Sequence, residues 1–169
     1  MPFTFFNRAG DLVGFDVEMA HRLARELGVS LEFIPFEGET MAQQLRDDHF
    51  DVAIGGIPML TPILETVSFS DPYMDATLAL VVKDHRRKEF AKLEDLKRMP
   101  ALRVGIRAAF GGYYRIKVEE KFSHVTLIEL QSLRDFFEQK GDDLDALLAS
   151  AEAGAFWTLL YPDYGVVVP

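Results

Sequence analysis

Residues 102–112, LRVGIRAAFGG, have the pattern of a buried strand followed by a tight turn. The stretch 102–106 is mostly apolar, and small residues then lead into a segment, 113–121, whose composition favours a helix. A second apolar stretch at 124–128 predicts another strand. Strand, helix and strand in succession favour an α/β fold with parallel strands.

The same alternation continues toward the C-terminus. Ser132 and Asp135 have the spacing of a capping box, which predicts a helix start. The remaining predicted elements are a strand at 145–149, a helix at 152–159 and a strand at 165–168.

The N-terminal half carries a related pattern. Residues 16–27 place apolar side chains at intervals of three and four, which predicts a helix, and Gly28 is a natural residue to end it. Further predicted elements are a strand at 29–34, a short helix at 40–47, a buried strand at 51–54 and a strand at 77–82.

The most polar stretch of the chain, 83–92, separates these two runs of elements. We therefore predict a first α/β lobe over 1–80, the end of a hinge strand and a polar link over 81–92, and a second α/β lobe over 93–169. Ligands of open α/β sheets bind at the carboxyl ends of strands, so we expect functional residues after 54, 106 and 149.

Composition excludes several classes of function. The 169 residues carry 18 basic and 27 acidic side chains, a formal net charge of −9, which disfavours binding to nucleic acid through bulk charge. With no cysteine, the chain has no disulfide, thiolate–zinc site or iron–sulfur cluster. No apolar run approaches the ~20 residues of a membrane span, so we expect no direct membrane insertion. The start, MPFTFFNRAG, does not resemble a signal peptide, and we expect the natural leader to lie outside this chain.

No motif predicts a cofactor or a metal. The four histidines are scattered, and the acidic group Asp142, Asp143 and Asp145 lacks the spacing of a calcium loop. The glycines at 105 and 111 imitate a phosphate loop, but the following Lys-Ser/Thr is missing. We therefore expect neither a cofactor nor a metal ion.

Three stretches in order resemble a known family: GFDVEMA at 14–20, FDVAIGG at 50–56 and VSFSDPY at 67–73. The second half adds LEDL at 93–96, VGI at 104–106 and DALL at 145–148. Together they resemble family 3 of the bacterial extracellular solute-binding proteins. The resemblance implies a type II periplasmic-binding-protein fold, in which two α/β lobes close on a small solute, usually an amino acid, and a periplasmic or extracellular location.

The chain departs from the family at the two residues that hold amino acids. The resemblance places an arginine for the ligand carboxylate where this chain has Ile63, and an aspartate for the ammonium where it has Ser150. Glu152 lies two residues beyond and is a candidate substitute. We therefore expect glycine, alanine and other simple α-amino acids to bind weakly.

We expect a small carboxylate-bearing solute, held by Arg107 and the backbone amides of 110–112. An arginine and a helix N-terminus both favour negative charge. The candidate ligand-binding residues of the first lobe are Phe3, Phe5, Gly55, Gly56, Ile57, Ile63 and Tyr73. Those of the second lobe are Arg107, Phe110, Gly111, Ser150 and Glu152.

The resemblance implies a non-enzymatic receptor that serves a membrane transporter, either an ABC permease or a fused symporter. The segment 150–164 resembles domains fused to cation-coupled symporters, and compared with full members the chain looks truncated at both ends. Two alternatives stay open. A dehydratase-like enzyme on the same fold would need a general acid, for which Glu152 is the one candidate, and a ligand-sensing domain of a membrane signalling protein would share the same ligand chemistry.

Overall fold

The computed structural model describes residues 3–36, 40–59, 64–108, 118, 122–138 and 143–169. The chain divides into two compact units, Met1–Pro72 and Tyr73–Pro169.

The first unit contains a two-stranded antiparallel sheet and two helices. Strands β1 (Phe5–Phe6) and β2 (Leu12–Val13) pair with each other, and α1 (Phe15–Leu27) and α2 (Met41–Arg46) follow. The face of α1 that is buried carries Val17, Ala20 and Ala24, at the predicted intervals of three and four. Gly28 ends the helix in the left-handed conformation, with φ +70°, as expected of a C-terminal glycine.

Two strands predicted in the first unit are absent from its described residues. Residues 29–34 and 51–54 form no strand, and Val29 and Val52 are about 60% exposed. The prediction of a buried strand at 51–54 is therefore wrong. A strand exists only where a neighbouring segment accepts its backbone hydrogen bonds, and neither stretch has such a neighbour in the part of the unit that the structure describes.

The second unit is built on a five-stranded mixed sheet. Its strands are β3 (Leu78–Lys83), β4 (Leu102–Arg107), β5 (Val125–Leu130), β6 (Ala146–Ser150) and β7 (Tyr164–Val167), in the order β5-β4-β6-β3-β7. β4 runs parallel to both β5 and β6, whereas β3 runs antiparallel to β6 and β7. The carboxyl ends of the three parallel strands therefore meet at one edge of the sheet.

The second unit also contains a 3-10 helix (Asp84–Phe90), α3 (Leu93–Leu96), α4 (Arg134–Phe137) and α5 (Ala151–Leu160). The helix predicted at 152–159 is confirmed by α5, whereas the residues of the 3-10 helix were expected to form a polar link. Ser132 and Asp135 make the expected capping contact, in which the Ser132 N–H donates to Asp135 Oδ2 at 3.3 Å. The helix predicted at 113–121 lies outside the described residues, apart from Val118, which is helical.

Both faces of the sheet are covered. Leu80 and Val82 pack in one buried cluster with Phe90 and Ile106, whereas Val81 packs in another with Trp157. Because successive side chains of a strand point to opposite faces, these clusters lie on opposite sides of the sheet. Aromatic rings fill the second cluster: Phe136, Phe137, Trp157, Tyr161 and Tyr164.

The polar stretch at 83–92 belongs to the second unit. It forms the end of β3 and the 3-10 helix, whose last residue, Phe90, is fully buried. Arg86 pairs with Asp145, 59 positions along the chain, at 3.1 Å, and with Glu89 at 3.0 Å. The stretch is therefore a helix that packs on the sheet through Phe90 and is joined to it by the ion pair of Arg86 with Asp145. The structure divides the chain at Pro72 and Tyr73, ahead of the boundary expected at 80.

Candidate functional site

Arg107 and Ser150 end two neighbouring parallel strands at the same edge of the second unit's sheet. β4 and β6 pair through Val104 with Ala146 and Gly105 with Leu147, so Arg107 lies level with Ala149 when this register is extended. Adjacent strands lie about 4.8 Å apart. The Arg107 side chain is exposed at the strand end, the position where open α/β sheets bind ligands.

The hydroxyl of Ser150 caps α5. Its Oγ accepts a hydrogen bond from the N–H of Ala153 at 3.2 Å, which satisfies one of the unpaired donors at the helix start. The N–H of Ala151 donates to the carbonyl of Thr77 at 2.8 Å. Both amides therefore already have protein acceptors, so Ser150 has a structural role at this edge.

Glu152 lies in the first turn of α5 and is half-buried. Its Oε2 is enclosed, and within the described residues this oxygen has no hydrogen-bond partner.

Phe3 and Gly56 contact each other in the first unit. Gly56 has φ +61°, a conformation that favours glycine, and a Cβ built on it would lie 2.7 Å from Cδ2 of Phe3. The Phe3 carbonyl accepts the N–H of Asp16 at 2.9 Å, which ties the Phe3 segment to the start of α1. The ring of Phe3 and the backbone of Gly56 therefore form one half-buried surface.

The structure also describes the four other candidates Phe5, Gly55, Ile57 and Tyr73. Phe5 pairs with Val13 in the small sheet, and Ile57 is half-buried. A Cβ at Gly55 would reach the ring of Phe36 at 4.0 Å, an ordinary contact distance. Tyr73 is 47% exposed and begins the second unit.

Three candidates, Ile63, Phe110 and Gly111, lie outside the described residues, as do Gly112 and Asp142. Binding of the solute by the backbone amides of 110–112 therefore stays a prediction, as does the role of Ile63.

The sequence pattern did not single out Asp16. This acidic residue is fully buried and lies in the first turn of α1, where the helix dipole favours negative charge. The available signal was an acidic residue next to Val17 on the buried face of a helix. Because the Asp16 backbone holds the Phe3 carbonyl, it positions the surface formed by Phe3 and Gly56.

A shallow concavity of about 480 Å³ lies at the opposite edge of the second unit's sheet, where β3 ends and β7 begins. Its lining residues are Lys83, Asp84, His85, Pro162 and Asp163. Among the described residues no group of three or more histidines and acids could hold a metal ion. None of the described helices is both long enough and apolar enough to span a membrane.

The family model of the bacterial extracellular solute-binding proteins, family 3, matches residues 1–153. An arginine-binding periplasmic protein of Mannheimia haemolytica is 30% identical over 95 residues, which are 56% of this chain and 39% of the relative. A probable amino-acid ABC transporter-binding protein of Haemophilus influenzae is 36% identical over 98 residues, 57% of this chain and 37% of that protein. The chain thus matches less than two-fifths of the length of these two relatives.

Solved structures share the fold. An ancestral amino-acid-binding protein, a precursor of cyclohexadienyl dehydratase, superposes with a TM-score of 0.82 at 27% identity, over 98% of this chain and 71% of the other. This likeness confirms the two-lobed α/β fold, and the family match confirms the resemblance that the ordered motifs indicated. The chain belongs to the bacterial extracellular solute-binding proteins, family 3.

Proposed function

We propose that the chain is the receptor part of a solute-uptake system and binds a small carboxylate-bearing solute. The observation that carries the proposal is the position of Arg107, exposed at the carboxyl end of β4 and beside the end of β6, in a chain of a solute-binding family. Arginine binds carboxylates through two parallel hydrogen bonds, which no uncharged side chain at this edge can replace.

Local charge supports an anionic group on the solute despite the chain's net charge of −9. Salt screens charges over about 8 Å at physiological ionic strength, so distant acidic residues contribute little to the energy of a bound solute. A guanidinium within hydrogen-bond distance contributes roughly 1.5–3 kcal/mol per bond.

The proposed partner is a membrane transporter, and the proposed place of action is outside the cytoplasmic membrane. The relative from Haemophilus influenzae, a probable ABC transporter-binding protein, supports an ABC-type partner. A fused symporter is supported only by the resemblance of the segment 150–164 to domains fused to such symporters.

A dehydratase is the second candidate, favoured by the likeness to a precursor of cyclohexadienyl dehydratase. Its general acid would be Glu152. A general acid needs a correctly placed substrate and usually a second catalytic group, and in the described part of the chain Glu152 Oε2 has no hydrogen-bond partner. A receptor therefore accounts better for this edge of the sheet.

Thermal unfolding in the presence of single solutes tests the receptor proposal. The panel is glycine, L-alanine, L-arginine, L-glutamine, succinate and glutarate, with glucose as a solute without a carboxylate. A ligand at one hundred times its dissociation constant stabilises a protein by about 2.7 kcal/mol. We expect at least one acid to raise the unfolding temperature and glucose to leave it unchanged. Stabilisation by glucose alone, or by none of the acids, contradicts the proposal.

A further inference from the structure

The stretch 29–34, VSLEFI, has the side-chain pattern of a strand, but no strand among the described residues pairs with it. In the part of the chain that the structure describes, its backbone makes a single hydrogen bond, from the N–H of Val29 to the carbonyl of Ala24 at 3.0 Å. The backbone groups of 30–34 therefore form an edge to which another extended segment can add hydrogen bonds.

Apolar side chains alternate along this stretch. In an extended segment Val29, Leu31 and Phe33 point to one side, and Ser30 and Glu32 point to the other. The three apolar side chains are exposed, at 59%, 37% and 38%. A row of this kind is ordinarily buried against another element, so its exposure marks a contact surface.

The end of α1 extends this apolar surface. The rings of Phe33 and His21 meet edge to face, with centroids 5.7 Å apart, so the stretch runs back beside the helix. Leu23 and Leu27 in the last two turns of the helix are also exposed, as is Ile34. The apolar patch is defined by these six exposed residues: Leu23, Leu27, Val29, Leu31, Phe33 and Ile34.

The area of the apolar patch fits a contact between two copies of the chain. Its side chains are 37–65% exposed. A free side chain of this size has roughly 150–200 Å² of surface, so the patch offers on the order of 500 Å². A stable interface buries about 800 Å² on each partner, with an apolar centre and a polar rim. The patch therefore supplies the centre of such an interface.

The charges around the patch favour an identical partner over a strongly charged one. Residues 22–34 contain two basic and two acidic side chains, Arg22, Arg25, Glu26 and Glu32. A locally balanced surface does not attract nucleic acid or an anionic lipid surface. It meets a second copy of itself without net local repulsion, and salt screens the charge of the remaining chain beyond about 8 Å.

We infer that two copies of the chain associate through the apolar patch, with the stretch 29–34 of one copy pairing antiparallel to the same stretch of the other. A two-fold axis at Leu31 places Val29 opposite Phe33 and Ser30 opposite Glu32. The two Glu32 carboxylates therefore do not face each other directly. A contact of this symmetry closes at two copies. The inference does not depend on which solute the chain binds.

Sedimentation velocity of the wild-type chain from about 1 to about 200 µM tests the inference. The test variants are Val29→Lys and Leu31→Lys, because a lysine in a strand edge disfavours pairing. Leu159→Lys is the matched control, since Leu159 is 82% exposed and lies in the last turn of α5, in the other unit. Far-UV circular dichroism checks that each variant keeps its helices. If Leu31→Lys unfolds, Val29→Lys decides, because Val29 is the more exposed of the two.

We expect a dimer of about twice the 19.1 kDa of the single chain, with a dissociation constant below about 100 µM. Val29→Lys and Leu31→Lys should each weaken the dimer at least about tenfold, and Leu159→Lys less than about twofold. Hydrogen exchange should show the amides of 30–34 protected in the concentrated wild-type chain and unprotected in Val29→Lys.

A wild-type chain that stays monomeric at about 200 µM overturns the inference, as does equal weakening by Leu159→Lys. A dimer whose 30–34 amides stay unprotected has a different contact and also overturns it. The same holds for a dimer that weakens when NaCl is raised from about 0.15 M to about 0.5 M, because such a dimer is held by charge. Assemblies that grow beyond two copies contradict the two-fold pairing.

Discussion

The hydroxyl oxygen of Ser150 accepts the N–H of Ala153 at 3.2 Å, so the residue that ends β6 also begins α5. The resemblance to the family implies at this position an aspartate that pairs with the ammonium group of the solute. Here the serine has a structural contact, and the acidic group nearest to it in sequence is Glu152.

Replacing Ser150 separates its two possible roles. Ser150→Ala removes the helix cap and should lower the free energy of unfolding by about 1 kcal/mol, whereas Ser150→Asp supplies another good capping residue and should cost less than about 0.5 kcal/mol. Urea unfolding followed by Trp157 emission measures both, because Trp157 lies in the same helix. Equal losses for alanine and aspartate would show that the cap is not what Ser150 contributes.

Gly56→Ala should destabilise the first unit by about 2–4 kcal/mol. The left-handed conformation at φ +61° costs an alanine about 1–2 kcal/mol, and crowding against the Phe3 ring adds about 1–2 kcal/mol. Gly28→Ala is the matched control, since Gly28 has φ +70° and a Cβ there meets nothing within 4 Å.

Thermal unfolding followed by circular dichroism compares these two glycine variants. The excess loss in Gly56→Ala over Gly28→Ala measures the contact with Phe3, and it should largely disappear when Phe3 is also replaced by alanine. If the two single variants lose the same stability, then Phe3 does not lie against Gly56.

Asp145→Ala should lower the free energy of unfolding of the second unit by about 1–2 kcal/mol, because Asp145 accepts both the Arg86 guanidinium and the N–H of Arg103. Asp143→Ala is the control. Asp143 is 78% exposed and 4.0 Å from the Arg103 guanidinium, so its loss should cost less than about 0.5 kcal/mol.

The loss in Asp145→Ala should not depend on pH between about pH 6 and pH 9. Burial alone lowers the pKa of Arg86, but its hydrogen bonds to Asp145 and Glu89 outweigh burial, and the net pKa is raised. A raised pKa on a base contributes stability that is present at lower pH and is lost only as pH rises through the folded-state value, which here is strongly alkaline. A loss in Asp145→Ala that varies across this range would show that another titrating group governs the contact.

The sequence predicted those elements whose signals are local. The spacing of apolar residues at intervals of three and four, followed by Gly28, predicted α1. The apolar runs at 102–106 and 145–149 predicted the strands that place Arg107 and Ser150 at one sheet edge. The strands predicted at 29–34 and 51–54 do not form in the structure. A pattern of side chains predicts a strand without identifying the segment that must pair with it.

The polar run at 83–92 was misread for a related reason. Its composition resembles a link, but the contact of Arg86 with Asp145 joins residues 59 positions apart and holds the run against the sheet. Glu152 was a candidate from its type and position alone. The enclosure of its Oε2 depends on the packing around α5, which no spacing in the sequence reveals.

Calorimetric titration of Arg107→Ala tests whether this side chain holds the carboxylate of the solute. The titrant is the acid of the panel that most stabilises the wild-type chain, and Arg103→Ala is the control, because Arg103 carries the same charge near the other end of β4. We predict one-to-one binding to the wild-type chain, at least about tenfold weaker binding to Arg107→Ala, and less than about twofold change in Arg103→Ala. Unchanged affinity in a folded Arg107→Ala variant would contradict it.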